Sequence, residues 1–100
     1  MRKSKATVTR DATELAEALG LSPADGLEIE IRSDLNDKIV ETVKKKGLTH
    51  AQVAKLARTS RTRMTALMNR NTQDISIDLM LRILGALGVR AKIQFRKHAA

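Results

Sequence analysis

The chain has 100 residues, a net charge of +8, one aromatic residue (Phe95) and no cysteine. One domain with a modest aliphatic core suits this length, whereas a disulfide framework and a cysteine-ligated metal site are excluded. No apolar run approaches the roughly 18–20 residues that span a bilayer, and the basic N-terminus lacks the apolar region of a secretory signal, so we expect a protein of the reducing cytoplasm without membrane contact.

The N-terminal part of the chain is predicted to contain an arm and a short helix. Residues 1–10 carry four basic and no acidic side chains. They are predicted to form a flexible arm, which is either simply disordered or able to reach into a minor groove. Residues 11–19 suit a short helix that ends at Gly20. We place a single folded domain at residues 11–97.

The next segment, residues 23–46, is predicted to be one long helix. Ser22 and Pro23 form a helix start, and the three lysines before Gly47 form a helix end. The alternating pattern of residues 27–31 and a possible fresh start at Ser33 leave open a strand or a break into two helices. The apolar residues that recur every four positions and favour the single helix are Leu27, Ile31, Leu35, Ile39 and Val43.

Residues 48–69, LTHAQVAKLARTSRTRMTALMN, predict two short helices joined by a tight turn. Thr49 and Gln52 have the spacing of a capping box at the start of the first helix, and Ser60 can cap the second. Arg58 and Thr59 are predicted to form the turn. The residues expected to point both helices into a shared core are Val53, Ala57, Met64 and Leu67.

The charge pattern suggests a phosphate-binding surface around these two helices. Residues 11–41 carry nine acidic and two basic side chains, whereas residues 42–100 carry thirteen basic and two acidic side chains. No acidic residue lies between Glu41 and Asp74. A charge of one sign over such a stretch is typical of a surface that meets nucleic acid phosphates, because a solvated face usually mixes both signs.

The second of the two helices has a polar face that is thin enough to enter a major groove. Arg61 is the best candidate to contact guanine, and Ala66 or a threonine methyl group can meet the methyl group of thymine. The residues predicted to face base edges are Arg61, Thr62, Thr65, Ala66 and Asn69. The residues predicted to contact phosphates are Thr49, His50, Gln52, Arg63, Arg70 and Asn71.

The C-terminal part of the chain predicts a loop, a buried helix and a strand. Residues 70–74 form a polar loop, and Ser76 is expected to cap a helix that is apolar nearly all round. Residues 89–95 alternate apolar and polar side chains as a strand does, and an isolated strand must pair with a second copy, an N-terminal segment or another protein. The apolar side chains expected to form a dimer interface are Val89, Ala91, Ile93 and Phe95.

Residues 48–69 resemble the helix-turn-helix of Xre/Cro, lambda-repressor-like regulators. Their continuation, NRNTQDISIDLMLRILGALGVRAKIQF, resembles the branch that includes HigA-like antitoxins. The resemblance covers about residues 19–95 and implies a mainly α fold of five helices, with the helix-turn-helix at 49–69 and a short C-terminal β-strand at 89–95. Arg58 stands where the family usually has glycine, which costs on the order of 1 kcal/mol if the backbone is left-handed. His50 stands where glutamine is usual.

We therefore expect a sequence-specific regulator of transcription that binds double-stranded DNA, forms a homodimer and represses its own operon. The alternative, which the resemblance and the acidic residues 11–41 motivate, is an antitoxin that neutralises a basic ribonuclease toxin. The two roles can coexist. A third possibility is a helix pair used only for protein contacts.

Enzyme chemistry is not expected from this sequence. The two histidines, His50 and His98, do not belong to a cluster with metal-ligand spacing. A glycine-rich phosphate loop and a nucleophile elbow are missing from the sequence. We expect no metal and no cofactor. Binding to single-stranded RNA is disfavoured, because stacking of bases needs more than one aromatic side chain.

Overall fold

A computed structural model describes residues 18–20 and 22–97. These residues form four helices, α1 (Pro23–Lys46), α2 (His50–Ala57), α3 (Arg61–Met68) and α4 (Ile77–Ala86), and contain no strand. The predicted arm at 1–10 and nearly all of the predicted helix at 11–19 lie outside the described residues. Within the described residues, the prediction of a mainly helical fold is confirmed.

Helix α1 is continuous, as the four-residue apolar repeat predicts. The Ser22 hydroxyl oxygen accepts a hydrogen bond from the Asp25 N–H at 3.1 Å, and the Asp25 carboxylate accepts one from the Ser22 N–H at 3.0 Å. The hydrogen bonds from the Ser22 backbone and side chain lower the pKa of Asp25. The helix ends at Gly47, whose φ of 64° suits a residue without a Cβ atom.

Only the C-terminal part of the predicted apolar stripe on α1 is buried. Ile39 and Val43 belong to the core and Leu35 packs at its edge, whereas Leu27 and Ile31 are 56% and 39% exposed. Length explains the difference: the 24 residues of α1 span about 36 Å, whereas the 8 to 10 residues of each other helix span about 12–15 Å. The shorter helices cannot cover the whole of α1.

Helices α2 and α3 begin at the predicted caps. The Thr49 hydroxyl oxygen accepts from the Gln52 N–H at 3.1 Å, and the Gln52 amide oxygen accepts from the Thr49 N–H at 2.8 Å. The Ser60 hydroxyl oxygen accepts from the Arg63 N–H at 3.1 Å. The predicted inward residues are all at most 2% exposed: Val53, Ala57, Met64 and Leu67. The two helices therefore pack as the sequence predicts.

Helix α4 closes the core, although it is not buried all round as its composition suggests. Leu79, Met80, Ile83 and Leu84 are buried against the other helices, whereas Leu81 on the outer side is 41% exposed. The helix begins at Ser76, whose hydroxyl oxygen accepts from the Leu79 N–H at 3.1 Å. Helix α4 packs mainly against α1 and α2.

The predicted strand at 89–95 is not formed in the single chain. Val89 packs at the edge of the core, but Ala91, Ile93 and Phe95 are exposed, the last of them by 92%. A strand needs a neighbour to satisfy its backbone hydrogen bonds, and none of the described segments pairs with residues 89–95. The strand predicted from the alternation of side chains is therefore not formed within the part of the chain that the structure describes.

Arg58 is held in the left-handed conformation, with φ 57° and ψ 49°, so replacing it with glycine is expected to stabilise the fold. A Cβ atom in this conformation costs about 1 kcal/mol, and the flexibility of glycine in the unfolded chain offsets part of that gain. We expect Arg58→Gly to raise the free energy of unfolding by about 0.5 kcal/mol in urea titrations. Arg58→Ala removes the same charge but keeps the Cβ atom; equal stabilisation by both variants would contradict backbone strain as the cause.

Candidate nucleic-acid interface

Helix α3 turns one face away from the core. Arg61 and Thr62, two of the residues predicted to read bases, lie on that face, whereas Ala66 packs at the edge of the core. Met64 and Leu67, on the opposite side, are fully buried, which fixes the rotation of the helix about its axis. Arg61 and Thr62 are exposed, at the N-terminal end of the helix. Thr65 and Ala66 are half-buried and Asn69, directly after the helix, is exposed. The side chains of the first turn of α3, Arg61 and Thr62, are therefore not packed against the core.

One predicted base-reading residue is held by a predicted phosphate-binding residue. The Nδ1 atom of His50 lies 3.0 Å from the hydroxyl oxygen of Thr65, and both side chains are half-buried. His50 is the first residue of α2, so this contact joins the start of α2 to the middle of α3. It restricts the Thr65 side chain to one orientation at the edge of the exposed face.

The other predicted phosphate contacts differ in what they already bind. Thr49 and Gln52 are exposed and form the capping box of α2. This box uses the oxygen of the Gln52 amide and leaves its NH₂ group without a partner among the described residues. Arg63 lies among the residues predicted to read bases, Asn71 follows them in the sequence, and both are exposed. These groups are placed to donate hydrogen bonds outward.

The surface contributed by α2, α3 and their flanks is positively charged. Acidic residues are absent between Glu41 and Asp74, and α2 and α3 both lie inside this window. The basic residues of this stretch are exposed: Lys44, Lys45, Lys46, Lys55, Arg58, Arg61, Arg63 and Arg70. Exposed charge of one sign attracts a polyanion.

Arg70 has a partner within the chain that the sequence did not reveal. Its guanidinium forms an ion pair with the carboxylate of Asp37 on α1 and lies 3.4 Å from the amide oxygen of Asn36. Arg70 has a positive φ of 61° and is the second residue after the end of α3. The structure thus places one predicted phosphate-binding residue in an ion pair near the end of α3.

Two polar residues of α1 support the segment that follows α3, and sequence reasoning missed both. Arg32 donates hydrogen bonds to the carbonyl oxygens of Thr72 and Ile75, and Asn36 donates one to the carbonyl oxygen of Leu67 at 2.9 Å. Arg32 and Asn36 lie one turn apart and continue the line of buried residues on α1. A polar residue in line with an apolar stripe was the signal that could have identified them.

Replacing Asn36 with alanine is expected to lower the free energy of unfolding by about 1–3 kcal/mol. Asn36 is only 4% exposed, and its loss would leave the Leu67 carbonyl oxygen without this hydrogen bond at the end of α3. Urea denaturation measures the change. Ser33→Ala, at an exposed position on the same helix, is the matched control and should change stability by less than about 0.5 kcal/mol. Equal stabilities of the two variants would contradict the role given to Asn36.

Among residues 18–20 and 22–97, neither a metal-binding cluster nor a membrane-spanning helix is present. Residues 18–20 and 22–97 do not bring together three or more His, Cys, Asp or Glu side chains that could hold a metal ion. Of the described helices, none combines the length and apolar character needed to cross a membrane. A cleft of about 420 Å³ between α1 and the loop after α3 is lined by Arg32, Asn36, Arg70 and Thr72, which belong to the support of α3 described above.

Helix α2, the turn with left-handed Arg58, and helix α3 with its outward polar face make up a helix-turn-helix. A family model described as a helix-turn-helix domain matches residues 14–96. The chain belongs to this helix-turn-helix family, and membership supports a regulator that binds DNA. No curated protein and no solved structure gives a significant match to the chain.

Proposed function

We propose that the chain is a sequence-specific transcriptional repressor that binds double-stranded DNA in the cytoplasm as a homodimer and controls its own operon. The observation that carries this proposal is the exposed first turn of α3, bearing Arg61 and Thr62, inside a stretch whose exposed charges are all positive. Such a surface combines attraction to phosphates with side chains that can reach base edges. Binding of this kind requires no enzyme chemistry, metal or cofactor.

In this proposal, α3 lies in the major groove and its exposed face reads the sequence. Arg61 donates two hydrogen bonds to the O6 and N7 atoms of a guanine, and Thr62 and Asn69 contact neighbouring bases. Thr65 and Ala66 offer methyl groups at the half-buried edge of the face. The residues proposed to hold the phosphate backbone are Thr49, His50, Gln52, Arg63, Arg70 and Asn71.

The proposed dimer uses residues 89–95 of both copies. Their backbone has no strand partner among residues 18–20 and 22–97, and the apolar Ile93 and Phe95 side chains are 75% and 92% exposed. Pairing with the same segment of a second copy would satisfy the backbone and bury these side chains, together with Val89 and Ala91. A two-fold dimer then presents two α3 helices to half-sites about 34 Å apart, which is one turn of DNA.

Selection of bound duplexes from a random pool, combined with the mass of the complex from light scattering, tests the proposal. We expect enrichment of an inverted repeat with half-sites spaced by about one helical turn, bound by two copies of the chain. Retention of no DNA even at low salt would contradict DNA binding and would favour a helix pair used for protein contacts. Enrichment of a site without two-fold symmetry, bound by one copy, would contradict the dimer.

The second candidate function is that of an antitoxin for a basic ribonuclease toxin. The exposed N-terminal part of α1 favours it, because apolar Leu27 and Ile31 stand among exposed carboxylates that include Glu28 and Asp34. An acidic surface with apolar side chains complements a basic protein. A gene for a small basic protein beside this one, whose product forms a complex with the chain when both are expressed, would support this role. If no such gene is adjacent, a stand-alone repressor is favoured.

A further inference from the structure

The ion pair between Arg70 and Asp37 lies at the end of the proposed recognition helix and is open to solvent. The two side chains are 55% and 56% exposed. Exposed ion pairs contribute little to stability and weaken as salt is added, because water and ions compete with both partners. The contact between Arg70 and Asp37 can therefore break at small cost.

The backbone of Arg70, in contrast with its side chain, is firmly placed. The Arg70 N–H donates to the Leu67 carbonyl oxygen at 3.0 Å, and Asn36 donates to the same oxygen at 2.9 Å. Arg32 fixes the following segment through the carbonyl oxygens of Thr72 and Ile75. The Arg70 side chain can thus change its conformation while its backbone and α3 stay in place.

A phosphate group competes directly with Asp37 for this guanidinium. Arginine donates paired hydrogen bonds to carboxylate and phosphate oxygens with similar geometry. Asp37 is an exposed carboxylate on α1, and Arg70 is the residue it contacts at the end of α3. A DNA backbone approaching the end of α3 would therefore meet an arginine that is already bound to a carboxylate.

We propose that Asp37 holds Arg70 in the free chain and that Arg70 exchanges Asp37 for a DNA phosphate when the chain binds. Asp37 is then a competitor that weakens binding to duplexes of any sequence, although it makes no contact with DNA itself. The inference rests on the proposed function, because it needs a duplex bound along α3. It assigns to α1 a role in setting DNA affinity, in addition to its structural support of α3.

The test measures binding of the full chain to a fluorescently labelled duplex of random sequence by anisotropy, between about 50 and 200 mM salt. Asp37→Asn is expected to bind about threefold more tightly, because Arg70 is no longer held. Arg70→Gln is expected to bind more weakly, with a log–log salt slope reduced by about 0.9, and Arg70→Lys should restore the slope. Asp34→Asn removes the same charge one turn away, at a position without an arginine partner among the described residues, and is the matched control.

The double variant Asp37→Asn with Arg70→Gln decides between exchange and simple repulsion. If Asp37 acts through Arg70, Asp37→Asn has no more effect than Asp34→Asn once Arg70 is replaced. Equal tightening by Asp37→Asn with and without Arg70 would overturn the inference, as would an unchanged salt slope for Arg70→Gln with an unchanged melting temperature. Failure of the unaltered chain to bind any duplex would instead refute the proposed function itself, so the two failures are distinguishable.

Discussion

The Arg61→Ala variant is expected to lose discrimination between two operators: the selected one and one in which the contacted guanine is replaced. It should bind both with about the same affinity. Arg61 is the exposed first residue of α3 and has no partner in the described part of the chain, so its fork of donors is available to a guanine. Loss of such a bidentate contact removes about 1–3 kcal/mol of discrimination, or roughly a 5- to 150-fold difference in affinity. Competition binding with the two operators measures this ratio directly.

Arg63→Ala provides the control for this experiment, because Arg63 is also exposed on α3 but is assigned to phosphate. We expect it to weaken binding to both operators by the same factor and to reduce the log–log salt slope by about one. If Arg61→Ala also weakens binding to both operators by the same factor and keeps full discrimination, then Arg61 contacts the DNA backbone and another residue reads the sequence.

Ile93→Asp is expected to convert the dimer into a monomer and to lower operator affinity by about 100-fold. The proposed pairing of residues 89–95 brings the apolar side chains of two copies together, and a buried carboxylate without a partner opposes that contact strongly. Two linked recognition helices gain affinity from their high effective concentration, which a monomer lacks. Light scattering gives the mass, and anisotropy gives the affinity.

Gln94→Asp is the matched control, because residue 94 lies on the opposite, polar face of the alternating segment. It introduces the same charge one residue away and should leave both the mass and the affinity nearly unchanged. If Ile93→Asp remains a dimer, the copies associate elsewhere; the outer side of α4, where Leu81 is 41% exposed, is the next surface to test.

The helices could be predicted from the sequence because the signals that begin and end them are local. Ser22 with Asp25 and Thr49 with Gln52 form capping boxes over three residues, and Gly47 ends α1 through its own backbone conformation. The same is true of the turn, where the strain expected at Arg58 is present as a left-handed backbone. A residue's immediate neighbours decide each of these features.

The support of α3 by α1 could not be predicted, because its hydrogen bonds join residues 31 to 43 positions apart. Arg32 and Asn36 stand in line with the apolar stripe of α1, but that position does not reveal which segment they bind, and Asp37 looks like an ordinary surface carboxylate when α1 is considered alone. Which side of a helix is polar but buried depends on where its partner segment runs, and that is fixed only when the chain folds. For the same reason, Arg70 was assigned to phosphate without any sign of its ion pair.

The segment 89–95 shows a different limit. The alternation predicts which residues would share a face of a strand, but a strand forms only beside another strand. The alternation therefore predicts the two faces of residues 89–95 but does not identify the segment that would pair with them. The same holds for Leu27 and Ile31 on α1, whose helical spacing predicted burial that the short helices do not provide.

The central claim is that the exposed face of α3 reads duplex DNA, and an NMR titration of isotope-labelled chain with the selected operator tests it most directly. We expect the largest chemical-shift changes at residues 60–71, with contacts between the side chains of Arg61 and Thr62 and protons of the major groove. Residues of the core should shift little. Changes confined to the N-terminal half of α1, with α3 unaffected at saturating DNA, would contradict the account.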